Sequence, residues 1–414
     1  MPQLSEFDKI IAILVNSGPV LRASAPKDIA QALAIVAKRL FDPNDPIGAS
    51  LRARLPASTG LSPQMVNFGL EQSLGLSSQS ELSRLQERLT ETPRNDMVRK
   101  AAGLSVVVLA SNLFVGSWRA ILEPLLQGSP TLVKAPSSDA VFAQHINECL
   151  DEVAPELGQG LAVLDWPREQ FSFDAKALEH VEVLSVFGSD QTIQSISQTL
   201  PPQTRLLAHG HGIGAAYIDA SSLCDESSAH RLAMDVALDL TAYDQRGCMS
   251  PYSLWIQDGA YLSAKHFGEL LAEEALPKVN QHLPKGSLPK AVRIAEQQWR
   301  AVAAARSHLF ENEAGAVAIE PDHRLRLSPG YRNLSVHDCK DIKVVINALI
   351  PLGTHLKTLG VATESESLKS IAQHLPAPLC PRICKIGLMQ KPPLDYIADG
   401  LPLAGNFSHW IDCS

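Results

Sequence analysis

Apolar and polar residues follow two rhythms along this chain, and the change between them falls near residue 100. Before it, "DIAQALAIVAKRL" (28–40) and "QSELSRLQERLTETP" (79–93) repeat apolar positions every three or four residues, which predicts amphipathic helices. The polar, proline-containing "LPASTGLSPQM" (55–65) reads as a connection between them. After the change, "GLSVVVLAS" (103–111) is a continuous β-branched run, the mark of a strand buried on both faces. The helical "GSWRAILEPLLQG" (116–128) follows, with Gly128 as its stop. The exchange then repeats. Strand "SPTLVKAPSS" (129–138) precedes a helix over 139–157, and strand "GLAVLDWP" (160–167) precedes a helix over 174–180. Strand "VEVLSVFGSD" (181–190) precedes a helix over 191–200, and "TRLLAHG" and "GAAYID" follow as strands. Strands alternating with short helices imply right-handed βαβ units and a parallel sheet.

A second α/β unit begins near Ser221, with a helix over 227–243 and "YSLWIQ" (252–257) as its first strand. Helices over 260–280 and 288–306 come next, then "AGAVAIE", "NLSVHDC" and the helix "DIKVVINAL". The tail from about Lys391 is rich in Pro, Gly and aromatics and reads as docked on a surface or a partner subunit. No internal repeat or low-complexity tract is visible.

Composition narrows the class. Of 414 residues, 45% are apolar and 19% charged, as in an ordinary globular protein. The net charge of −8 and the lack of a dense Lys/Arg run argue against a nucleic-acid partner. The most apolar stretch, "GLSVVVLASNLFVG", is too short and interrupted to span a bilayer, and "MPQLSEFDKIIAILVNSG" does not read as a signal peptide. Seven scattered cysteines argue against a disulfide framework, so a reducing cytoplasm is the expected setting.

Candidate chemistry centres on "DQRGCMSP" (244–251), which places Cys248 on a polar loop between helix and strand. A thiol attacks as thiolate, and a glycine before it lets backbone N–H groups approach the sulfur and a developing oxyanion. A tolerated surface thiol fits the octapeptide equally well. Asn112 follows the buried strand "SVVVLA", where an open α/β sheet presents ligands; its amide can donate to an oxyanion, although alone it reads as a turn or cap. Lys134 ends the strand "TLVK" and can reach a ribose or phosphate, or simply face solvent. Gly188-Ser189, before a helix, offers N–H groups to a pyrophosphate. Cys149 and Cys224 read as core, Cys380 and Cys384 lack zinc spacing, and Cys413 reads as exposed. Phe114 and Trp118 fit either an apolar channel or ordinary core.

In order, "ASN", "LVKAPSS", "VFGS", "AHGHGIGAAYI" and "DQRGCMSPYSLWI" resemble the landmarks of aldehyde dehydrogenase-type enzymes. "YDQRGCMSP" most resembles the LuxC-type acyl-CoA reductases within that superfamily, over about residues 100–360. The resemblance implies an aldehyde dehydrogenase-like α/β fold: two doubly wound α/β domains with a cleft between them and a helical N-terminal region. The expected divisions are a helical segment over 1–100 packed on the cofactor domain and a dinucleotide-binding domain over 101–222. A catalytic domain over 223–390 bears the cysteine, and a tail over 391–414 returns to the first domain or a partner subunit. Cys248 would be the nucleophile that forms an acyl thioester, and Asn112 with the Cys248 N–H would hold the oxyanion. Lys134, Ser137, Gly188 and Ser189 would line the dinucleotide site.

Two departures from the superfamily pattern refine this. Aldehyde-oxidising members carry a glutamate, the base for hydrolysis, where this chain has Ala208-His209-Gly210-His211; its loss favours reduction of an acyl thioester, with His209 a possible substitute base. Where NAD-preferring relatives place a glutamate after the lysine, Ser137 and Ser138 stand here, and Arg168 lies near enough in sequence to pair with a 2′-phosphate, so NADPH is the expected cofactor. The expected substrate is an acyl-CoA or acyl-carrier protein, fed by an acyl-supplying enzyme to a homo-oligomer with no bound metal. Arg246 leaves open a semialdehyde dehydrogenase or acyl-phosphate reductase with a small polar substrate. A thioesterase or acyltransferase, and a non-catalytic acyl-thioester-binding subunit, remain as rivals.

Overall fold

The computed structural model describes residues 4–136, 139–166, 177–364, 366–380 and 382–414. Ser137, Ser138 and Arg168 lie outside the described residues, as do residues 174–176 of the helix expected over 174–180. The chain divides into two compact units, one holding residues 1–59, 66–211 and 401–414, the other 60–65 and 212–400.

The first unit opens with helices Leu4–Ala23, Pro26–Phe41 and Pro46–Thr59. Helix Pro26–Phe41 buries Ile29, Ala30, Leu33, Val36, Ala37 and Leu40, and helix Gln79–Thr90 buries Leu82, Leu85 and Leu89. The two stripes pack on each other, as their three-four spacing requires. The strands are β1 (Met97–Ala101), β2 (Ser105–Val108), β3 (Thr131–Ala135), β4 (Leu161–Asp165), β5 (Val183–Phe187) and β6 (Arg205–His209). Strands β2 to β6 form a five-stranded parallel sheet in the order β4-β3-β2-β5-β6. One face rests on Phe7, Leu14, Leu104, Val106, Leu132, Trp166 and Leu184.

The second unit contains β7 (Ile213–Ile218), β8 (Pro251–Gln257), β9 (Leu309–Glu311), β10 (Ala316–Ile319), β11 (Asn333–Cys339), β12 (Leu356–Ala362) and β13 (Ile383–Lys385). They form one sheet in the order β13-β12-β7-β8-β11-β10-β9, parallel except for the edge strand β9. Ala215, Tyr217, Trp255, Val345, Leu349, Leu356, Leu359 and Val361 make up one core beside it. The single helix expected over 260–280 is instead helices Ala264–Leu270 and Leu276–His282, joined by a π turn at Leu271–Ala275. Pro277 lacks the N–H that a regular ladder would use there, which accounts for the widened turn.

The last strand, β14 (Ser408–Asp412), pairs antiparallel with β1 in the first unit. Arg205 ties this segment down, its Nη1 donating to the carbonyls of Gly405, Asn406 and Ser408 at 2.9, 3.2 and 2.8 Å.

Phe114 and Trp118 belong to the core rather than to a channel: each is 1% exposed. Phe114 meets Phe142 edge-on at 5.4 Å, and Trp118 Nε1 donates to Ser77 Oγ at 2.7 Å. Phe114→Ala is therefore expected to lower unfolding free energy in urea by about 3–5 kcal/mol, as for other buried phenylalanines. An unchanged urea midpoint would return Phe114 to the channel reading.

Candidate functional site

The Cys248 segment follows a well-capped helix. Asp225 accepts the Ser228 N–H at 2.7 Å, and Ser228 Oγ accepts the Asp225 N–H at 3.0 Å, closing a capping box ahead of helix Glu226–Thr241. This turn carries Cys224 outward, so Cys224 is exposed and not in the core as expected from its apolar neighbours, whereas Cys149 is buried.

Beyond the helix, Tyr243, Asp244 and Gln245 have φ of 55°, 53° and 59°. Each non-glycine residue in that left-handed region costs about 1–2 kcal/mol. The cost is met by side chains. Arg332, fully buried, donates from Nε and Nη2 to Asp244 Oδ1 at 2.8 and 2.6 Å, and the Gly286 N–H donates to Asp244 Oδ2 at 3.0 Å. The remaining Arg332 donors reach Asn280 Oδ1 at 2.7 Å and the Leu283 carbonyl at 2.9 Å. The Gln245 amide pairs with backbone as a strand would: Nε2 donates to the Pro251 and Asn333 carbonyls at 2.7 and 2.9 Å, and Oε1 accepts the Asn333 N–H at 2.9 Å. Tyr331 and Arg332 are also left-handed, at 57° and 68°, so two strained turns clamp each other. Asn333 continues the network, with Nδ2 donating to Glu296 Oε1 at 2.9 Å and Lys285 Nζ donating to the same oxygen at 3.0 Å.

Cys248 follows this clamp, half-buried, at the head of β8. The Ser250 N–H closes a turn on the Gly247 carbonyl at 3.1 Å, and the Gly214 N–H of β7 holds the Ser250 carbonyl at 2.7 Å. A second support comes from Asp239, a buried carboxylate that accepts the Gly387 and Met389 N–H groups at 2.6 and 3.0 Å. The adjoining Gln390 amide donates to Ser250 Oγ at 3.2 Å. Burial pushes the Cys248 thiol up to about 11; Asp399 adds to that push and Lys357 opposes it. The resting sulfur is thus held as thiol at neutral pH. Burial also raises the thiols of Cys149 to about 11 and of Cys339, Cys380 and Cys384 to about 12.

The first unit carries the other candidates at the carboxyl ends of its strands. The winding reverses between β2 and β5, the switch point at which open α/β sheets bind ligands. Asn112 is exposed in the turn after β2, and Gly188-Ser189 follows β5, so these candidates flank the switch point. The Gly188 N–H is not free, contrary to the expectation from sequence: it donates to the His209 carbonyl at 3.2 Å. Ser189 is the N-cap of helix Asp190–Ser197, its Oγ accepting the Thr192 N–H at 3.3 Å. Lys134 Nζ lies 4.8 Å from the centroid of the Trp166 ring, a cation–π contact that draws it over the indole. Phe187 and His209 stack at 4.2 Å on the ends of β5 and β6. A dinucleotide fits this edge: the switch point sets its place and the start of helix Asp190–Ser197 suits a pyrophosphate, although the Asp190 carboxylate there offsets part of that field.

The profile of one protein family, described as "Acyl-CoA reductase (LuxC)", matches residues 25–401. The chain belongs to the acyl-CoA reductase (LuxC) family. It is similar to the long-chain acyl-protein thioester reductase of Aliivibrio fischeri, with 27% identity over 263 residues, 61% of this chain and 53% of that protein. The match thus spans about half the length of this relative. Among solved structures, it is similar to Thermus thermophilus 1-pyrroline-5-carboxylate dehydrogenase, with a TM-score of 0.70 and 16% identity over 98% of this chain and 85% of that one. It is also similar to lactaldehyde dehydrogenase, with a TM-score of 0.69 and 15% identity over 92% of this chain and 83% of that one. At such identities the likeness shows the fold, which is aldehyde dehydrogenase-like.

Sequence reasoning missed the clamp. "YDQ" carries no glycine to signal left-handed backbone, and the Pro-Gly of "SPGYRN" (328–333) is the one local turn signal on the facing side. Asp244→Asn is a direct test, because asparagine tolerates left-handed φ and its loss of charge isolates the ion pair. Leaving Arg332 buried and uncompensated should cost about 3–5 kcal/mol of unfolding free energy in urea. A loss below about 1 kcal/mol, the worth of a surface pair, would mean that the clamp does not carry the turn.

Proposed function

We propose that this protein reduces an acyl thioester to the aldehyde through a covalent Cys248 acyl-enzyme, using NADPH. The observation that carries the reading is the clamp: a chain of this family spends buried charge and backbone strain on the residues directly before Cys248. Such strain is retained where it positions a reacting group.

The Cys248 sulfur gives up its proton and attacks the thioester carbonyl carbon, forming one C–S bond. The role proposed for the Asn112 amide and the Cys248 N–H is to donate to the oxyanion, each such donor being worth about 3 kcal/mol of barrier. Collapse breaks the bond to the carrier sulfur, and the carrier leaves as a thiol with the proton. When bound, the reduced nicotinamide supplies a hydride to the carbonyl carbon of the enzyme thioester. Cys248 then departs from that carbon as thiolate, and the aldehyde is released.

Lys134 and the Gly188-Ser189 turn are the proposed dinucleotide contacts. The choice of NADPH rests on Ser137, Ser138 and Arg168 in the sequence. The exposed methyl of Ala208 on β6, where aldehyde oxidisers place a hydrolytic base, favours a thioester that survives until reduction. By analogy with the Aliivibrio fischeri protein named a long-chain acyl-protein thioester reductase, the acyl group is long and carried on a protein or on coenzyme A.

The test is NADPH oxidation in the presence of decanoyl-CoA and acetyl-CoA. Wild-type protein should prefer decanoyl-CoA. Cys248→Ala should lose turnover by about a thousandfold or more while still binding NADPH, as when a nucleophile is removed from a covalent mechanism. Turnover by Cys248→Ala at the wild-type rate would overturn the reading, and a higher kcat/KM with NADH would overturn the cofactor assignment.

A further inference from the structure

Three neighbouring parallel strands of the second unit begin side by side: β8 at Pro251, β7 at Ile213 and β12 at Leu356. Their register pairs Gly214 with Pro251 and Ile213 with Leu356. The Gly214 N–H holds the Ser250 carbonyl, so the Cys248 segment lies against the start of β7. Lys357, at the start of β12, reaches the same strand end from the other side. A side chain at Gly214 would collide with the Met249 carbonyl oxygen, and one at Gly212 with Lys357 Cγ. Two glycines two residues apart therefore bring the Cys248 segment and the lysine stem onto one strand end.

Lys357 is buried, and its Nζ lies 2.5 Å from Asp399 Oδ1. Asp399 sits in a left-handed turn with φ of 52°, followed by Gly400 at 72°. The two side chains are 10% and 17% exposed, so water screens the pair little from what lies beside it.

We propose that the Lys357–Asp399 pair sets the charge of the Cys248 sulfur, with Lys357 stabilising the thiolate and Asp399 restraining that action. The inference rests on Cys248 being the nucleophile of the proposed reduction, and it makes Lys357 a positioning residue rather than one that touches substrate. The signs of the two charges on the thiol agree with it: Asp399 disfavours the thiolate and Lys357 favours it. Among the described residues, other ionisable side chains near this loop include Tyr252 on β8, whose phenol burial pushes up to about 12, Arg246 on the loop itself, and Arg382, whose Nη1 lies 3.7 Å from Met249 Sδ. Lys357 is thus a cation held against the nucleophile's strand end by a carboxylate from a different segment, which gives the site a way to alter thiolate content without a second base.

The experiment measures iodoacetamide alkylation of Cys248 in the full chain, by intact mass against a Cys248→Ala background. It is paired with a titration of thiolate ultraviolet absorbance, and circular dichroism confirms folding. At neutral pH, Lys357→Met should slow alkylation about tenfold and Asp399→Asn should speed it by about the same factor, with Lys357→Arg within about threefold of wild type. The absorbance midpoint should move up in the first variant and down in the second. Lys357→Gln replaces Lys357→Met if the latter does not fold. Changes in the same direction for both charges, or changes below about twofold in both, would overturn the proposal, since a merely structural pair would not give opposite signs. Alkylation needs neither acyl donor nor nucleotide, so failure of acyl turnover in wild-type protein would count against the proposed function and leave this result standing.

Discussion

The arrangement around Cys248 depends on one buried ion pair. Tyr243, Asp244 and Gln245 cannot hold left-handed backbone unaided, and Arg332 supplies the opposing charge with all three of its nitrogens engaged. Two buried charges are a poor means of stabilising a fold, because the desolvation they suffer cancels most of their attraction. They are well suited to fixing one geometry, since any slip leaves a charge unpaired. Gln245 adds a second lock by imitating a strand partner for Asn333 and Pro251. The helix Glu226–Thr241 therefore ends in a turn that has one shape, and the sulfur three residues after that lock inherits it.

In the proposed reaction the sulfur faces two demands. A thioester-forming cysteine must be nucleophilic when substrate arrives, yet a permanently ionised thiolate is open to oxidation and alkylation. Burial keeps the resting Cys248 as thiol. The clamp then contributes position, which acts through orientation, while Asp399 and Lys357 act on the thiol in opposite directions. A higher pKa makes the sulfur more nucleophilic once ionised, but this offsets less than half of the loss in thiolate content, so the resting sulfur reacts slowly.

Much of the fold was legible because buried parallel strands announce themselves. "SVVV" and "VLSVF" are continuous apolar runs, and both became central strands of one sheet. The helices over 28–40 and 79–93 were equally plain, since a single buried stripe repeats through each. Features made by distant partners were not legible: β1 pairs with β14 from a remote part of the chain, and β9 is too short to show a period. Cys248 was visible as a loop cysteine before a strand. The residues that hold it were not, because Asp244 meets Arg332 and Lys357 meets Asp399 across segments that share no local pattern. The outward Cys224 was misread for a related reason: its exposure follows from a capping box rather than from its apolar neighbours.

The central claim is that Cys248 carries the acyl group. Intact-mass spectrometry of the wild-type protein mixed with decanoyl-CoA, without nucleotide, tests it most directly. One decanoyl group should appear on the protein, map to the peptide containing Cys248, and disappear when NADPH is added. An adduct on another residue, or aldehyde formation with no adduct in a protein rapidly quenched during turnover, would contradict it.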